Sequence, residues 1–488
     1  MIMRRSFRSL AIVAALVLLA PLDRAVADHA GNTLASPVGI PVSAFALETG
    51  DWEFITNYPL GPAALGPLGV DASFVRRGNR VYAVVSSTTL GLRIFDITDP
   101  DTPVWVADYG SATLCPTAGG EGFVAKGGDA LALPSGWEND SVVNQADLDG
   151  VIGHGKVRGD GTLAVIGTDA GGRCHDPSYG GMELVDISDP AHPALLWLTR
   201  QTGENHNTSF DPFHNVLYVN NSDIGENNFI DILDLNGCKT RAQGGNGRCR
   251  VEEARYQFPP GLAAARDGGG DSGCHDITVR KNRIYCAAVN ATIVFDTSRL
   301  RTKSGRLSGD RLPCGTTTGH PVYAAGAPIV SDCRISQGEF AARRLRSARL
   351  TPVAVAHHGG IGTEEPPDQD ISISHDADPI RRQPILAITD ERAGALTNAD
   401  GCPGGAVWFY DIRGESLRKA KRDGGGVPIM KPMILADAHG RIVRDETGRA
   451  KPAAFLTQHY LPGTTLSCTA HIIEQWGSEP RMFVAWYL

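Results

Sequence analysis

The length, composition and charge of the chain set the first limits on its class. It has 488 residues and a formal net charge of −8, with 20% charged residues and no dominant basic stripe, which argues against nucleic acid as a partner. Its 57 glycines and 30 prolines predict many turns, and a hydrophobic content of 42% favours a globular protein of short β-strands.

Residues 1–27 have the pattern of a secretory signal peptide. Three arginines precede an apolar run from Leu10 to Ala20, and Ala25-Val26-Ala27 offers a small-x-small cleavage site. An uncleaved anchor helix is the alternative, but this apolar run is short for a membrane span. We therefore predict a secreted protein, extracellular or periplasmic, with no membrane span after cleavage. An N-terminal extension over 28–50 would precede one large domain over 51–488.

The ten cysteines predict disulfides, because an exported chain folds in an oxidising compartment. No CxxC spacing occurs, so a thiolate metal site is the weaker alternative. The connectivity stays open at this level. The plausible pairs between sequence neighbours are Cys238 with Cys249, Cys314 with Cys333, and Cys402 with Cys468.

A strand-like motif recurs along the chain. "GLRIFDITDP" at 91–100 and "GMELVDISDP" at 181–190 are nearly identical, and weaker copies occupy 228–237, 291–300 and 406–415. Each copy ends at an aspartate that begins a turn. Two strands in a hairpin-like pair precede each copy, and a fourth short strand follows it. The sequence therefore predicts an all-β protein, a β-propeller of four-stranded blades.

Six innermost strands can be counted, which predicts six blades. The strand at 52–61 precedes the first unit and would complete the last blade, closing the ring. The last unit reaches Leu488 before its third strand, so either this blade is incomplete or the chain continues and a seventh blade follows. Long insertions decorate the units at 112–150, 237–250, 300–347 and 415–452.

These strands resemble those of the LVIVD-repeat β-propeller family, whose name describes segments such as "LRIFDI" and "MELVDI". The segments "CHDITV", "HHGG", "SHDADP…ILAITDE" and "CTAH…FVAWY" are similar to signature segments of its secreted bacterial members. The resemblance covers about 50–488 and implies a secreted or surface propeller without an established activity. A more distant similarity is to the selenium-binding protein and methanethiol oxidase group, which are propellers with metal-binding histidines.

Five histidines occupy the same place, the start of the innermost strand of their repeat. The first repeat has Asp71 near that register. Innermost strands of a propeller surround its channel, so we expect these side chains to converge at one mouth. Imidazoles with a carboxylate suit a transition metal such as Cu, Zn or Fe. Asp276 and Asp376 would orient the neighbouring rings from outside the metal. The five candidate ligands are His154, His206, His275, His375 and His471.

A structural interpretation of the histidines stays open, because a histidine at every blade entry can also hydrogen-bond its own turn. Two functional hypotheses follow. The first is a metal-dependent oxidoreductase or hydrolase acting on a small molecule at the channel mouth. The second is a non-catalytic binding or scaffold propeller whose loops contact an extracellular protein. In both cases we expect a monomer.

Other candidates are weaker. "GDSG" at 270–273 resembles the nucleophile loop of chymotrypsin-like proteases, but the expected histidine does not precede it and Cys274 replaces the second glycine. We interpret it as the approach to a blade. His357 and His358 close an outer strand, as a surface pair or as part of the loop face. Second strands end in acids that are turn caps or general acids and bases: Asp169, Asp223, and Asp390 with Glu391.

Overall fold

A computed structural model describes the chain in segments. These are residues 69–87, 91–111, 151–152, 155–169, 182–199, 206–211, 213–220, 229–247, 249–266, 270–310, 314–315, 331–332, 346–360, 370–391, 406–437, 439–456, 469–475 and 482–487. The predicted signal peptide, the extension and the strand at 52–61 lie outside them. In this part of the chain, no helix is both long and apolar enough to cross a membrane.

The described residues form two compact units. The first unit comprises the described residues between 69 and 198 and those between 239 and 249. The second unit comprises the described residues between 199 and 238, between 250 and 456, and between 469 and 487. Nearly all regular structure is β-strand, and the described segments contain one short α-helix, α1 (Gly414–Lys419), and a 3-10 helix at Arg241–Gln243.

The first unit contains two sheets. One is four-stranded and antiparallel in the order β1-β2-β3-β4, and the other has the order β5-β7-β8-β9 with β6 paired to β7. Both repeat copies predicted here are strands, β3 and β8. The bounds are β1 (Gly69–Arg77), β2 (Arg80–Ser87), β3 (Gly91–Asp96), β4 (Val104–Gly110), β5 (Val151–Ile152), β6 (Lys156–Val157), β7 (Leu163–Asp169), β8 (Met182–Asp186) and β9 (Ala194–Thr199).

The second unit contains three larger sheets. Their orders are β10-β11-β12-β13-β19, β14-β15-β16-β20, and β21-β22-β23-β24 with β25 on β23; β17 pairs with β18, and β26 with β27. The bounds are β10 (Asn207–Asp211), β11 (Val216–Asn220), β12 (Phe229–Cys238), β13 (Cys249–Gln257), β14 (Asp276–Arg280), β15 (Arg283–Ala288), β16 (Ala291–Asp296), β17 (Cys314–Gly315), β18 (Ser331–Asp332), β19 (Arg346–Ser347), β20 (Thr351–His357), β21 (Ser374–Pro379), β22 (Ile385–Asp390), β23 (Ala406–Asp411), β24 (Lys431–Pro432), β25 (Ala454–Leu456), β26 (Thr469–Gln475) and β27 (Met482–Tyr487).

The aspartate at the end of the strand in each repeat copy caps the following turn. In all five copies its Oδ1 accepts the backbone N–H two residues later, at distances of 2.7–3.0 Å. Such a cap stops the strand and starts the turn. The five residues are Asp96, Asp186, Asp234, Asp296 and Asp411. The repeat found in the sequence is therefore a strand with its own turn cap, as predicted.

Apolar side chains of successive strands pack between sheets within each unit. In the second unit Ile232, Ile277, Ile293 and Phe295 belong to one buried cluster. β-branched and aromatic residues suit a pleated strand, and Val294, between Ile293 and Phe295, is buried in a second cluster, so both faces of β16 are covered. The predicted all-β, propeller-like architecture is confirmed, whereas a closed ring of six or seven blades stays a prediction.

The disulfides agree with the sequence analysis only in part. Cys238 and Cys249, which were predicted to pair, are both disulfide-bonded. The bond between Cys274 and Cys286 was not among the predicted pairs. It clips the segment before β14 to its hairpin partner β15. Cys333, Cys402 and Cys468 lie outside the described residues, as does the side chain of Cys314.

Candidate metal site

The main chain of His275 is fixed from both sides. Its N–H donates to the carbonyl of Ala287 at 2.6 Å, and its carbonyl accepts a hydrogen bond from the side-chain amide of Asn220. The disulfide from Cys274 to Cys286 anchors the preceding residue to the same strand, β15. Backbone contacts and the disulfide therefore hold this strand entry in place.

The entries at His206 and His375 are held by backbone contacts as well. The N–H of His206 donates to the carbonyl of Asn220 at 3.2 Å. Before His375, the N–H of Ser374 donates to the carbonyl of Val289 at 2.8 Å, and a return bond of 3.1 Å completes the pair. Each histidine thus starts a strand of a different sheet, those of β10, β14 and β21.

The three imidazoles meet one another. The ring centroids of His206 and His275 are 4.3 Å apart, and those of His275 and His375 are 4.1 Å apart. The Oε2 atom of Glu391 lies 3.6 Å from Nε2 of His375. All four residues are buried, with exposed fractions of 0–7%. This set is called the histidine cluster below.

The donor set of the histidine cluster fits a transition metal. One ligand atom from each of His275, His375 and Glu391 lies within 4.8 Å of the others. Two imidazoles and one carboxylate are donors that Zn, Fe and related metals accept. A single ion would neutralise this carboxylate and use both imidazoles.

Two of the five predicted ligands cannot be placed by their side chains. His154 lies outside the described residues. His471 lies in β26 (Thr469–Gln475), but its side chain is also outside them. The structure therefore brings together His206, His275 and His375.

The predicted outer carboxylates make main-chain contacts. Asp276 Oδ1 accepts the N–H of Ile277 at 2.5 Å. Asp376 Oδ2 accepts the N–H of Ile473 at 2.8 Å, which connects β21 to β26. Both carboxylates hold strand entries beside a histidine, and their effect on ring orientation stays a prediction.

Asp71 belongs to a different environment in the first unit. Its Oδ1 accepts the N–H of Ala72 at 2.7 Å, and its Oδ2 pairs with Nζ of Lys156 at 2.7 Å. The bond to the following N–H matches that of Asp276, so Asp71 corresponds to the residue after the histidine. The sequence analysis had placed it near the register of the histidine itself.

Glu391, which sequence reasoning placed among the weaker candidates, lies beside His375 in the structure. Its neighbour Asp390 holds the segment before β21, because its Oδ1 accepts the N–H groups of Ser372 and Ile373 at 3.1 and 3.0 Å. Glu391 follows directly and approaches His375. The sequence carried a signal for this approach. The segments "SHD" and "TDE" lie in the neighbouring strands β21 and β22, and their pairing brings both to one end of the sheet.

His358 is buried, so the interpretation as a surface pair with His357 is wrong. Its Nε2 lies 2.8 Å from Oγ1 of Thr292, which lies 2.7 Å from Oγ of Ser374. Burial, together with charge repulsion from Arg266 and His357, lowers the pKa of His358 to about 3. This imidazole is therefore neutral at ordinary pH.

Ser272, in the "GDSG" segment, has a structural role. Its hydroxyl is fully buried and donates to the carbonyls of Ala288 and Ala263 at 2.5 and 3.3 Å. The adjacent Asp271 accepts the N–H groups of Gly261 and Ala263. These contacts fit the interpretation of "GDSG" as the approach to a blade.

Comparison with known proteins gives distant structural similarity only. No family model and no curated protein matches the sequence. The periplasmic gluconolactonase of Pseudomonas aeruginosa is 8% identical with a TM-score of 0.37, over 80% of this chain and 70% of that one. A protein from Lactobacillus plantarum is 10% identical with a TM-score of 0.35, over 82% and 88%. An α-L-arabinanase of Cellvibrio cellulosa is 10% identical with a TM-score of 0.24, over 75% and 96%. Similarities this low carry no argument about function.

Proposed function

We propose that this protein is a secreted LVIVD-type propeller that binds one transition-metal ion through His275, His375 and Glu391. The ion would serve a metal-dependent oxidoreductase or hydrolase acting on a small molecule. One observation carries the proposal: three buried ligand atoms from these residues lie within 4.8 Å of one another. His206 is the next ligand, because its ring is 4.3 Å from that of His275.

The convergence of different sheets supports a binding role over a bracing role. A histidine that only tied a turn to its own blade would have its ring near that turn. Here the backbone already makes the entry contacts, and the three rings come from the entries of three sheets. Neutral imidazoles near a carboxylate are the form that metals bind, since ligand atoms must be deprotonated.

The donor set limits the metal and its chemistry. Imidazole suits Zn, Cu and Fe, and two histidines with one carboxylate leave coordination positions open for other ligands. A bound ion of this kind supplies Lewis acidity or an activated water. The chain's own part is to hold the imidazoles by their main chain and to exclude bulk water through burial.

The proposal extends to the rest of the ring. Six or more blades closed by the strand at 52–61 would place His154 and His471 at positions matching those of the other histidines. The signal-peptide pattern and the disulfides support secretion, and a monomer stays our expectation. The resemblance to the LVIVD-repeat family rests on the repeat strands quoted above.

Metal binding by the purified mature protein tests the proposal. We expect about one equivalent of Zn, Cu or Fe by elemental analysis. We also expect His375→Ala and Glu391→Gln to weaken Co²⁺ binding by more than about 100-fold, beyond the range for outer-shell partners. His214→Ala is the matched control, because His214 also contacts a carboxylate, Asp211 Oδ2, at 2.6 Å in the same unit.

The contrary result is equally clear. If no metal co-purifies and His275→Ala leaves Co²⁺ affinity unchanged, the metal-site proposal fails. A loss of stability without a loss of metal would then favour the binding or scaffold propeller with structural histidines.

A further inference from the structure

Asn220 connects two of the histidine entries. It is the last residue of β11 and only 1% exposed. Its carbonyl accepts the N–H of His206 at 3.2 Å, and its side-chain Nδ2 donates to the carbonyl of His275. One side chain and its own backbone therefore join the entries of β10 and β14 beside the histidine cluster.

The orientation of the Asn220 amide is fixed by chemistry. A backbone carbonyl can only accept, so the amide nitrogen must face the carbonyl of His275. The Oδ1 atom then points elsewhere. This oxygen is buried and has no hydrogen-bond partner among the described residues.

Other asparagines of the same unit use their amide oxygens. Asn207 Oδ1, one strand away, accepts the N–H of Thr208 at 2.7 Å. Asn236 Oδ1 accepts a hydrogen bond from the side chain of Asn215 at 3.1 Å. A buried acceptor without a donor is costly and rare in folded proteins. We therefore expect a hydrogen-bond donor next to Oδ1 of Asn220.

We propose that Asn220 Oδ1 accepts a hydrogen bond from a small ligand held beside the histidine cluster, either a water or another molecule with an N–H or O–H group. This rests on the proposed function in placing that ligand next to the metal. The site then has an exchangeable position with a hydrogen-bond acceptor beside it, as catalytic metal sites have and structural sites lack. Ligands that carry a donor are favoured over those that carry none.

Crystal structures of the metal-free and the Zn²⁺-soaked protein test this directly. We expect density for a small molecule or water at about 2.7–3.2 Å from Asn220 Oδ1. Density for a protein N–H donor there, or no atom at all within this range, would overturn the proposal. Anomalous signal at His275, His375 and Glu391 tests the proposed function separately, so the two can fail independently.

A ligand comparison in the Co²⁺ form gives the second test. Acetohydroxamate carries an N–H group, whereas acetate carries no donor. We expect Asn220→Leu to reduce the ratio of acetohydroxamate to acetate affinity by about 5-fold, the size of one neutral hydrogen bond. Asn290→Leu, which also removes a buried amide bonded to a backbone carbonyl, should leave this ratio unchanged. An equal loss of both ligands in Asn220→Leu would mean that the residue only braces the strands.

Discussion

In both units a side-chain oxygen near the start of a strand accepts the N–H group of the next residue. The residue before this acceptor differs between the units. Asp71 in the first unit, and Asn207 and Asp276 in the second, each accept the N–H of the next residue at 2.5–2.7 Å. Val70 precedes Asp71, whereas His206 and His275 precede the other two. An oxygen acceptor is therefore shared by these three strand entries, and the two described entries of the second unit carry a histidine directly before it.

The units also share a buried ion pair, with its charges reversed. In the first unit Arg93 of β3 makes two bonds to Asp108 of β4, at 2.7 and 2.8 Å. In the second unit Asp231 of β12 makes two bonds to Arg255 of β13, at 2.6 and 2.7 Å. All four side chains are less than 10% exposed. In these two sheets the third strand thus meets the fourth through a charge pair, and the pair occurs in either orientation.

The largest effect is expected from breaking this pair in the second unit. Arg255→Asp should lower the free energy of unfolding by at least about 3–5 kcal/mol, because it leaves Asp231 buried opposite a like charge. Burial already raises the pKa of Asp231, and Arg255 opposes that rise. Denaturant unfolding measures the loss.

Reversing the pair sharpens the comparison. Asp231→Arg combined with Arg255→Asp reproduces the polarity of the first unit and should recover most of the lost stability. Recovery is partial because the guanidinium of Arg255 also lies over the ring of Phe229, 3.9 Å from its centroid. If the double variant is no more stable than Arg255→Asp alone, the two pairs are not interchangeable and the comparison is wrong.

The next effect concerns the disulfide between Cys274 and Cys286. It has no counterpart in β1–β4, which contain no cysteine. Cys274→Ser with Cys286→Ser should cost about 2–4 kcal/mol of stability, by freeing the unfolded chain. We also expect weaker Co²⁺ binding, because Cys274 adjoins His275. Thermal unfolding and metal titration of the same samples measure both.

Removing two further disulfide-bonded cysteines, Cys238→Ser with Cys249→Ser, is the control. It should lower stability while leaving Co²⁺ affinity unchanged. Equal metal affinity in both double variants would show that the clip at Cys274 does not position the histidine.

A smaller effect concerns His358, whose counterpart in the first unit is Ser111 by strand register. The pKa of this histidine falls from 6.5 to about 3 on burial, so the unfolded chain binds the extra proton between these values. Stability is therefore present above pH 6.5 and is lost as the pH falls through this window, by up to about 1.4 kcal/mol per pH unit. His358→Gln should flatten this dependence in urea unfolding measured from pH 4 to 7. An unchanged slope would mean that other groups cause it.

The sequence predicted the strands better than the site. Repeat copies such as "GLRIFDITDP" carry their own turn-capping aspartate, so strand and turn are local properties that a single segment reveals. The convergence of His206, His275 and His375 followed from the repeat alone, because equivalent positions of neighbouring blades meet. Glu391 stayed among the weaker candidates because its approach to His375 depends on strand pairing. The bond from Cys274 to Cys286 was missed because hairpin register decides it.

The smallest effects distinguish two contacts. One is the bond that Asp71 and Asp276 each accept from the next N–H group, and the other is the ion pair of Asp71 with Lys156. Asp276→Asn should change stability by less than about 0.5 kcal/mol, because an amide oxygen makes the same bond at Asn207. Asp71→Asn also loses the pair with Lys156, whose side chain is 26% exposed, so we expect a loss of up to about 1 kcal/mol. That difference should shrink as salt is added, since screening weakens a partly exposed pair. If Asp276→Asn costs as much as Asp71→Asn at every salt concentration, the carboxylate of Asp276 does more than accept one N–H, and its predicted action on His275 gains support.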